Sequence, residues 1–343
     1  MAADRALHNP TLEDVARAAG VSTMTASRAL RGAPAVHPRT RERIVQHAQS
    51  IGYRPHRWAR SLVHGRSWII GIVIPDISHT YFAEITAGVE DAAEMARYDL
   101  LLCHSRSDPN RERAEIEMLL ESRVDGLIVA SEQGPEMFRI LRQRGVPFVL
   151  IDRSFPHKRL PSAGVDNLAV GRMAADHLVA LGHRRIAHIR GPKVSTAELR
   201  FVGFRDALAR HGLPLTSRSV AVGSFDIAGG REAMRTLLRQ SPRPTAVFAA
   251  NDPMAFGAVR ACREASLRVP EDVSVFGAGN IEGDDHPRPF LTTSDWPRRD
   301  LGRAAAALLA QLIANPRSAV RDVVFPPRLL VRQSTARPPA RPR

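Results

Sequence analysis

Residues 11 to 30 read TLEDVARAAGVSTMTASRAL. Thr11 supplies a helix N-cap hydroxyl, and Asp14, three residues on, completes a capping-box-like pair. Leu12, Val15, Ala16 and Ala19 recur at helical spacing and make one apolar face. Gly20 can take the positive φ of a sharp turn. Val21 plugs the junction and Ser22 caps a second helix, whose Ala26, Ala29 and Leu30 turn inward. Thr23, Met24, Ser27 and Arg28 are left to face outward. Small polar side chains with one arginine at a helix start suit the major groove, where arginine pairs with guanine O6 and N7. A surface helical hairpin with solvated polar residues is the plain alternative. The next segment argues against it. Pro38 suits a first helical turn, and Arg39 to Ile51 continues with Ile44, Ala48 and Ile51 on one face, ended by Gly52. Three helices then share one small core.

The segment Gly52-Tyr-Arg-Pro-His-Arg-Trp-Ala-Arg-Ser-Leu62 follows. Together with the helix-turn-helix before it, this segment resembles the hinge of the LacI/GalR family of bacterial transcriptional repressors. The resemblance implies that Tyr53, Arg57, Ala59 and Leu62 join Thr11, Ser22, Thr23, Met24, Thr25, Ser27 and Arg28 in contacting DNA. It makes Leu62 a minor-groove wedge, unstacking one base step for a few kcal/mol. On the residues alone, Leu62 is only a linker leucine. The expected division is a DNA-binding domain over 1–54, a hinge over 55–66, an effector domain over 67–335 and a disordered tail over 336–343.

Charge is distributed to match. The chain of 343 residues carries a net +14, and residues 1–66 hold 11 arginines against 4 acids. That concentration fits phosphate contacts. Arginine is abundant throughout and Lys158 and Lys193 are the only lysines, so the asymmetry says more than the total. No apolar run approaches the ~20 residues that span a bilayer. The N-terminus MAADRALHNP lacks a signal-peptide pattern. A soluble cytoplasmic protein is expected, with Cys103 and Cys262 as buried free thiols.

From Trp68 onward strands and helices alternate. Apolar runs at Ile69–Ile74, Asp99–His104, Gly126–Ala130 and Pro147–Asp152 read as strands, separated by helices over Phe82–Arg97 and Arg111–Ser122. A second set has strands at Arg185–Arg190, Ser219–Val222, Ala246–Ala250 and Ser274–Gly277. Its helices fall at Arg200–His211, Gly229–Gln240 and Pro253–Ala265. Repeated alternation means parallel sheets covered by helices. The fold class is therefore α/β in two lobes after an all-α N-terminal domain, with ligand expected at the carboxyl ends of the strands.

The same family resemblance runs through this region on IPDISHTYFAEITAGVEDAA, RVDGLIVA, GVPFVLIDR, GVDNLAVGRMAADHLVALGHRRIAHIRGP, RFVGFRDAL, PRPTAVFAANDPMAFGAVRA, LRVPEDVSVFG and PFLTT. It implies a receptor of periplasmic-binding-protein type, with crossings between lobes near Asp166, Ser294 and Val324. Carried over residue by residue, it makes Tyr81, Phe82, Asp152, Arg200, Phe225 and Asn251 effector contacts. Tyr81 and Phe225 also read as plain core aromatics, Asp152 as a cap, and Arg200 as a structural ion-pair partner. Asp252 reads as the cap of the helix after Pro253. One departure falls in Gly277-Ala-Gly-Asn-Ile-Glu-Gly-Asp-Asp-His286, where family members bond effector with an aspartate and this chain has Gly279. Asn280 or Glu282 is left to substitute. A second departure puts Trp296 where it either lines the cleft or fills an interface.

These features predict a dimeric repressor that reads a near-palindromic operator on double-stranded DNA and answers to a small carbohydrate-like effector, without a cofactor or a membrane partner. An enzyme is the competing class. The chain has no GxGxxG after its first strand, no GxxxxGK[ST] and no GxSxG. His177, His183 and His188 do not form a HExxH-like metal pair. A transport receptor fits poorly beside the N-terminal module.

Overall fold

A computed structural model of the chain describes residues 10–30, 33–53, 65–131, 133, 138–153, 160–281, 289–318 and 321–340. It divides into two compact units, Met1–Trp68 and Ile69–Arg343.

The first unit holds helices α1 (Leu12–Ala18), α2 (Thr23–Leu30) and α3 (Pro38–Ser50). Thr11 and Asp14 form a reciprocal capping box, and the Ser22 hydroxyl accepts from the Thr25 amide at 3.2 Å. Gly20 sits at φ +63° between α1 and α2. Val15, Ala16, Ala19, Ala26, Ala29, Val36, Ile44 and Ala48 are the buried core, with Leu12, Val21, Leu30, Ile51 and Tyr53 packed against it. Alanines dominate because three short helices crossing this tightly leave little room between them.

The second unit is two sheets with helices on their faces. The first sheet is β1 (Ile69–Ile74), β2 (Asp99–His104), β3 (Gly126–Val129), β4 (Phe148–Ile151), β5 (Ser162–Val165) and β11 (Val323–Phe325). Its order is β11-β5-β4-β3-β1-β2, with every pairing parallel. The second sheet is β6 (Ile186–Arg190), β7 (Val220–Val222), β8 (Ala246–Ala249), β9 (Ser274–Ala278), β10 (Thr292–Asp295) and β12 (Arg328–Leu330), ordered β12-β10-β9-β8-β6-β7. Only β10 with β12 is antiparallel. The helices are α4 (Thr80–Met95), α5 (Pro109–Glu121), α6 (Arg139–Gln143), α7 (Asn167–Ala180), α8 (Ser195–Arg210), α9 (Ile227–Leu238), α10 (Asp252–Glu264) and α11 (Arg298–Ala314). The α8 start is five residues earlier than the sequence suggested, so Arg200 lies in its second turn instead of opening it.

The chain changes lobe three times. It leaves the first sheet after β5, through Asp166, whose carboxylate caps α7. It returns through Trp296-Pro297, just beyond Ser294, which lies inside β10. It crosses last at Pro326-Pro327, just beyond Val324, which lies inside β11.

Three helix pairs cross through reciprocal glycines. A Cβ on Gly88 of α4 would stand 2.0 Å from the Arg299 carbonyl, and one on Gly302 of α11 would stand 2.0 Å from that of Ile85. Gly171 and Gly203 do the same for α7 and α8, against the Arg200 and Leu168 carbonyls at 2.0 and 2.1 Å. Gly230 and Gly257 repeat it for α9 and α10, at 2.2 and 2.1 Å. Backbones touch at each crossing, which leaves no slack in where the helices begin.

The C-terminal segment packs against the second lobe as far as Ala336. His177 Nε2 bonds the Thr335 hydroxyl at 3.0 Å, and His183, fully buried, bonds the Ala336 carbonyl at 2.9 Å and the Thr245 hydroxyl at 3.0 Å. The Ala336 amide donates to Ser274 Oγ. A buried histidine needs partners, and the Ala336 carbonyl is one of those that His183 finds. Cys103 and Cys262 are buried free thiols, both pushed up to about 12 by burial.

Candidate functional site

Two surfaces carry the chemistry. In the first unit, Thr23, Met24 and Arg28 are exposed at the start and outer face of α2, Met24 at 61%. Ser27 and Thr25 are half-buried beside them, and the Thr25 hydroxyl is bonded to that of Ser22 at 2.9 Å. Ser22 and Thr11 are both spent as caps. A row of short side chains with one arginine thus stands on a helix whose opposite face is fixed in the alanine core. Tyr53 packs on that core. Arg57, Ala59 and Leu62 lie outside the described residues.

In the second unit a cleft of about 240 Å³ opens at the carboxyl ends of both sheets. The first lobe contributes Asp76, His79, Tyr81, Phe82, Ser107, Asp152 and Arg153. The second contributes Thr196, Arg200, Phe225, Asp226, Asn251, Ala278, Gly279 and Ile281, and Trp296 stands at the crossing. Seven of the eight expected effector residues therefore share one cavity.

Each is held by its local chemistry. Asp152 ends β4 at φ +56°, a left-handed conformation that aspartate tolerates. Its Oδ1 accepts from the Tyr81 hydroxyl at 2.5 Å and its Oδ2 from Arg153 Nη1 at 2.6 Å. Burial and then the neighbouring Asp152 charge drive the Tyr81 hydroxyl pKa well above its ordinary value. Arg200, only 5% exposed, donates from Nε to Asn167 Oδ1 at 2.8 Å and from Nη1 to the Ala250 carbonyl at 2.6 Å. Nη2 has no hydrogen-bond partner among the described residues. Burial lowers the Arg200 pKa, opposed by Asp152. The guanidinium lies over the Trp296 ring, and the indole also meets the Tyr81 ring edge-on at 6.1 Å. Trp296 is 3% exposed, so it both lines the cleft and fills the space between lobes.

Phe225 sits at φ +66°, an outlier for a bulky residue. Its ring would lie 2.4 Å from a Cβ on Gly191, and its carbonyl accepts from Asn251 Nδ2 at 2.8 Å. Asn251 Oδ1 accepts from the Met254 amide, so Asn251 is the cap of α10. That corrects the expectation that Asp252 caps the helix. Asp252 is fully buried behind the cleft wall, accepting from the Thr293 hydroxyl and the Ile281 amide at 2.7 Å each. Burial raises its carboxyl to about 6, against those two hydrogen bonds.

Asn280 is the one candidate that the cleft omits. Its Nδ2 donates to Asp295 at 3.2 Å and its Oδ1 accepts from Arg332 at 2.6 Å, so it braces the loop from behind. Glu282 lies outside the described residues. The departure at Gly279 has a physical basis in this loop. Gly279 takes φ +128°, and a Cβ on Gly277 would stand 2.1 Å from Asp252 Oδ1. The wall here is backbone and methyl groups.

Residue-by-residue reasoning missed His79 and Asp76. Asp76 turns the chain after β1 by accepting from the Ser78 amide and hydroxyl, and that amide bond is the main cause of its lowered pKa. His79 precedes α4, with its pKa lowered by burial and opposed by Asp76 and Asp152. The signal was the Asp-Ile-Ser-His turn directly after a parallel strand, where α/β sheets bind ligands.

Comparisons with known proteins cover both parts of the chain. Residues 11–56 match the model of bacterial regulatory proteins of the lacI family, and residues 67–333 match that of periplasmic binding proteins and the sugar binding domain of the LacI family. The chain is 36% identical over 330 residues to the HTH-type transcriptional repressor PurR of Pectobacterium carotovorum subsp. carotovorum (strain PC1), covering 95% of this chain and 97% of the relative. Among solved structures, the lac repressor dimer bound to operator and the anti-inducer ONPF is similar with a TM-score of 0.85 and 30% identity, over 96% of this chain and 99% of that one. The transcriptional regulator CelR–cellobiose complex is similar with a TM-score of 0.73 and 32% identity, over 95% and 100% of the two chains. With an alanine-cored helix-turn-helix, a two-lobed receptor and matches spanning almost its full length, this chain belongs to the LacI family of DNA-binding bacterial transcriptional regulators.

Proposed function

We propose that this chain is a repressor that grips a near-palindromic operator as a homodimer and changes its grip when a small polyhydroxylated ligand enters the cleft. Arg200 carries the reading. It is a buried guanidinium on the cleft wall with two nitrogens fixed by protein and the third left for a ligand. Rings at Tyr81, Phe82, Phe225 and Trp296 offer apolar faces around it, as sugar recognition needs. The lining mixes the carboxylates of Asp76, Asp152 and Asp226 with the guanidiniums of Arg153 and Arg200. Such a mixed lining suits a neutral ligand better than a polyanion. Asp152 and Tyr81 are spent on each other, which favours binding over turnover. The relatives that bind operator and cellobiose support both halves of the reading.

On the DNA side, Thr23, Met24 and Arg28 read base edges, with Ser27 and Thr25 beside them, and Arg57, Ala59 and Leu62 act at the hinge. Two such units on a dimer place recognition helices about one helical turn apart. No described helix is long and apolar enough to cross a membrane, and the cytoplasm, where operator DNA lies, is the proposed compartment. The test is a thermal-unfolding screen of the full chain against monosaccharides, disaccharides, sugar acids, sugar phosphates and nucleobases. A ligand at ~100 times its Kd stabilises by roughly 2.7 kcal/mol. A sugar that stabilises the wild type and fails with Arg200→Ala supports the reading. A hit that ignores Arg200→Ala, or a hit only among sugar phosphates, refutes it.

A further inference from the structure

The second-lobe wall of the cleft, Ala278 to Ile281, is held from behind by four side chains. Asp252 accepts from the Ile281 amide, Asp295 and Arg332 hold the Asn280 carboxamide, and Arg298 donates from Nη1 to the Gly279 carbonyl at 2.5 Å. The first three belong to the second lobe. Arg298 does not. It opens α11, which packs on α4, β3, β4 and β5 of the first lobe. Nη1 also reaches Asp295 Oδ1 at 3.4 Å, and Nε and Nη2 take both oxygens of Glu84 at 2.9 and 3.0 Å. Glu84 lies on α4 two residues after Phe82, which lines the cleft from the first lobe beside Tyr81. One guanidinium, 10% exposed, therefore ties the two sides of the cavity together behind its surface.

We infer that Arg298 is a positioning residue that fixes the angle between the lobes, with Glu84 as its first-lobe anchor and the Gly279 carbonyl, backed by Asp295, as its second-lobe anchor. The fork geometry matters. A guanidinium can hold a carboxylate with two parallel bonds and still offer a third donor in the same plane, whereas an ammonium is a single point of contact. A change in lobe angle must stretch one anchor against the other, so the strut resists intermediate angles. Arg298 itself does not line the cleft. This inference rests on the cleft reading for its biological use, but its geometry is testable with neither effector nor operator.

The experiment places nitroxide labels on the full chain at Arg113→Cys in the first lobe and Arg263→Cys in the second, diluted with unlabelled chain, and reads the interlobe distance distribution by pulsed electron paramagnetic resonance. Arg298→Ala is expected to broaden the distribution about twofold, as loss of a packed interlobe contact frees a shear motion. Glu84→Ala should broaden it equally, and the double variant no further, because the two act as one unit. Arg298→Lys should fall between. Should Arg298→Ala fold poorly, Glu84→Gln, on a half-exposed side chain, carries the same expectation. An unchanged distribution in Glu84→Ala or Glu84→Gln overturns the strut, and so does additive broadening in the double variant.

Discussion

The Arg200 guanidinium lies 5.2 Å from the centre of the Trp296 ring, while its Nε bonds Asn167 beside the first crossing. The cleft-lining cation of the second lobe is thus packed on the residue that carries the chain between lobes. Cation–π contact of this kind contributes on the order of 1–2 kcal/mol when desolvated. Arg200→Lys keeps the charge and loses the planar stack and the fork. It is expected to weaken binding of the best-stabilising sugar about tenfold to a hundredfold, read by calorimetric titration. Unchanged affinity would make Arg200 a purely structural cation.

Asp252 makes stability depend on pH in an unusual direction. Its carboxyl stands at about 6 in the folded chain, against 3.8 as the ordinary value. A group raised on folding stabilises most below its unfolded pKa and loses that contribution as pH rises through the folded one. Relative to Asp252→Asn, the wild type should therefore lose on the order of 2 kcal/mol between pH 4 and pH 7. Urea unfolding of both proteins at the two pH values measures it. The comparison with the variant is necessary because His188, lowered to about 4 by burial, titrates the other way. A wild-type advantage that grew with pH would contradict the assignment.

Gly171 sets where Arg200 stands. A Cβ there meets the Arg200 carbonyl at 2.0 Å, so α7 and α8 must part. Gly171→Ala is expected to cost about 3 kcal/mol, the upper end for overpacking against a surface that cannot yield, and to weaken ligand binding as well. Denaturant melts and ligand titration read the two effects separately.

In the DNA-binding unit, Thr11→Ala removes one side of the capping box. A loss of about 1 kcal/mol follows from the cap alone. It should appear as faster amide exchange at Asp14 and Val15, with α3 amides unaffected.

The DNA-reading helices were legible because caps, turn glycine and apolar period all fall within twenty residues and agree. The strand–helix alternation was legible for the same local reason. Helices α7 and α11 were passed over although both carry a helical apolar period, whereas the short strands offered no such signal. β5 is Ser-Ala-Gly-Val, and β11 and β12 are three residues each, so pairing partners far away in the chain make them strands. The paired glycines could not be read, since each answers to a backbone on another helix. Asn251 and Asp252 are adjacent residues that can both cap, and only the position of Thr293 and Ile281 decides which one is buried. Asn280 could not be placed from sequence because its partners, Asp295 at the end of β10 and Arg332 beyond β12, come from distant segments. The bonds from His183 and Ser274 to Ala336 likewise could not be read, since they join residues far apart in the chain.

The most direct test of the account is fluorescence anisotropy with a duplex selected by the full-length protein from a random DNA pool, titrated with and without the sugar that best raises its melting temperature. The account predicts a two-fold symmetric enriched sequence, bound with a steep salt dependence, and at least a roughly tenfold change in Kd when sugar is present, as a coupling free energy above about 1.4 kcal/mol requires. No enriched sequence, or an affinity indifferent to a sugar that demonstrably fills the cleft, would contradict it.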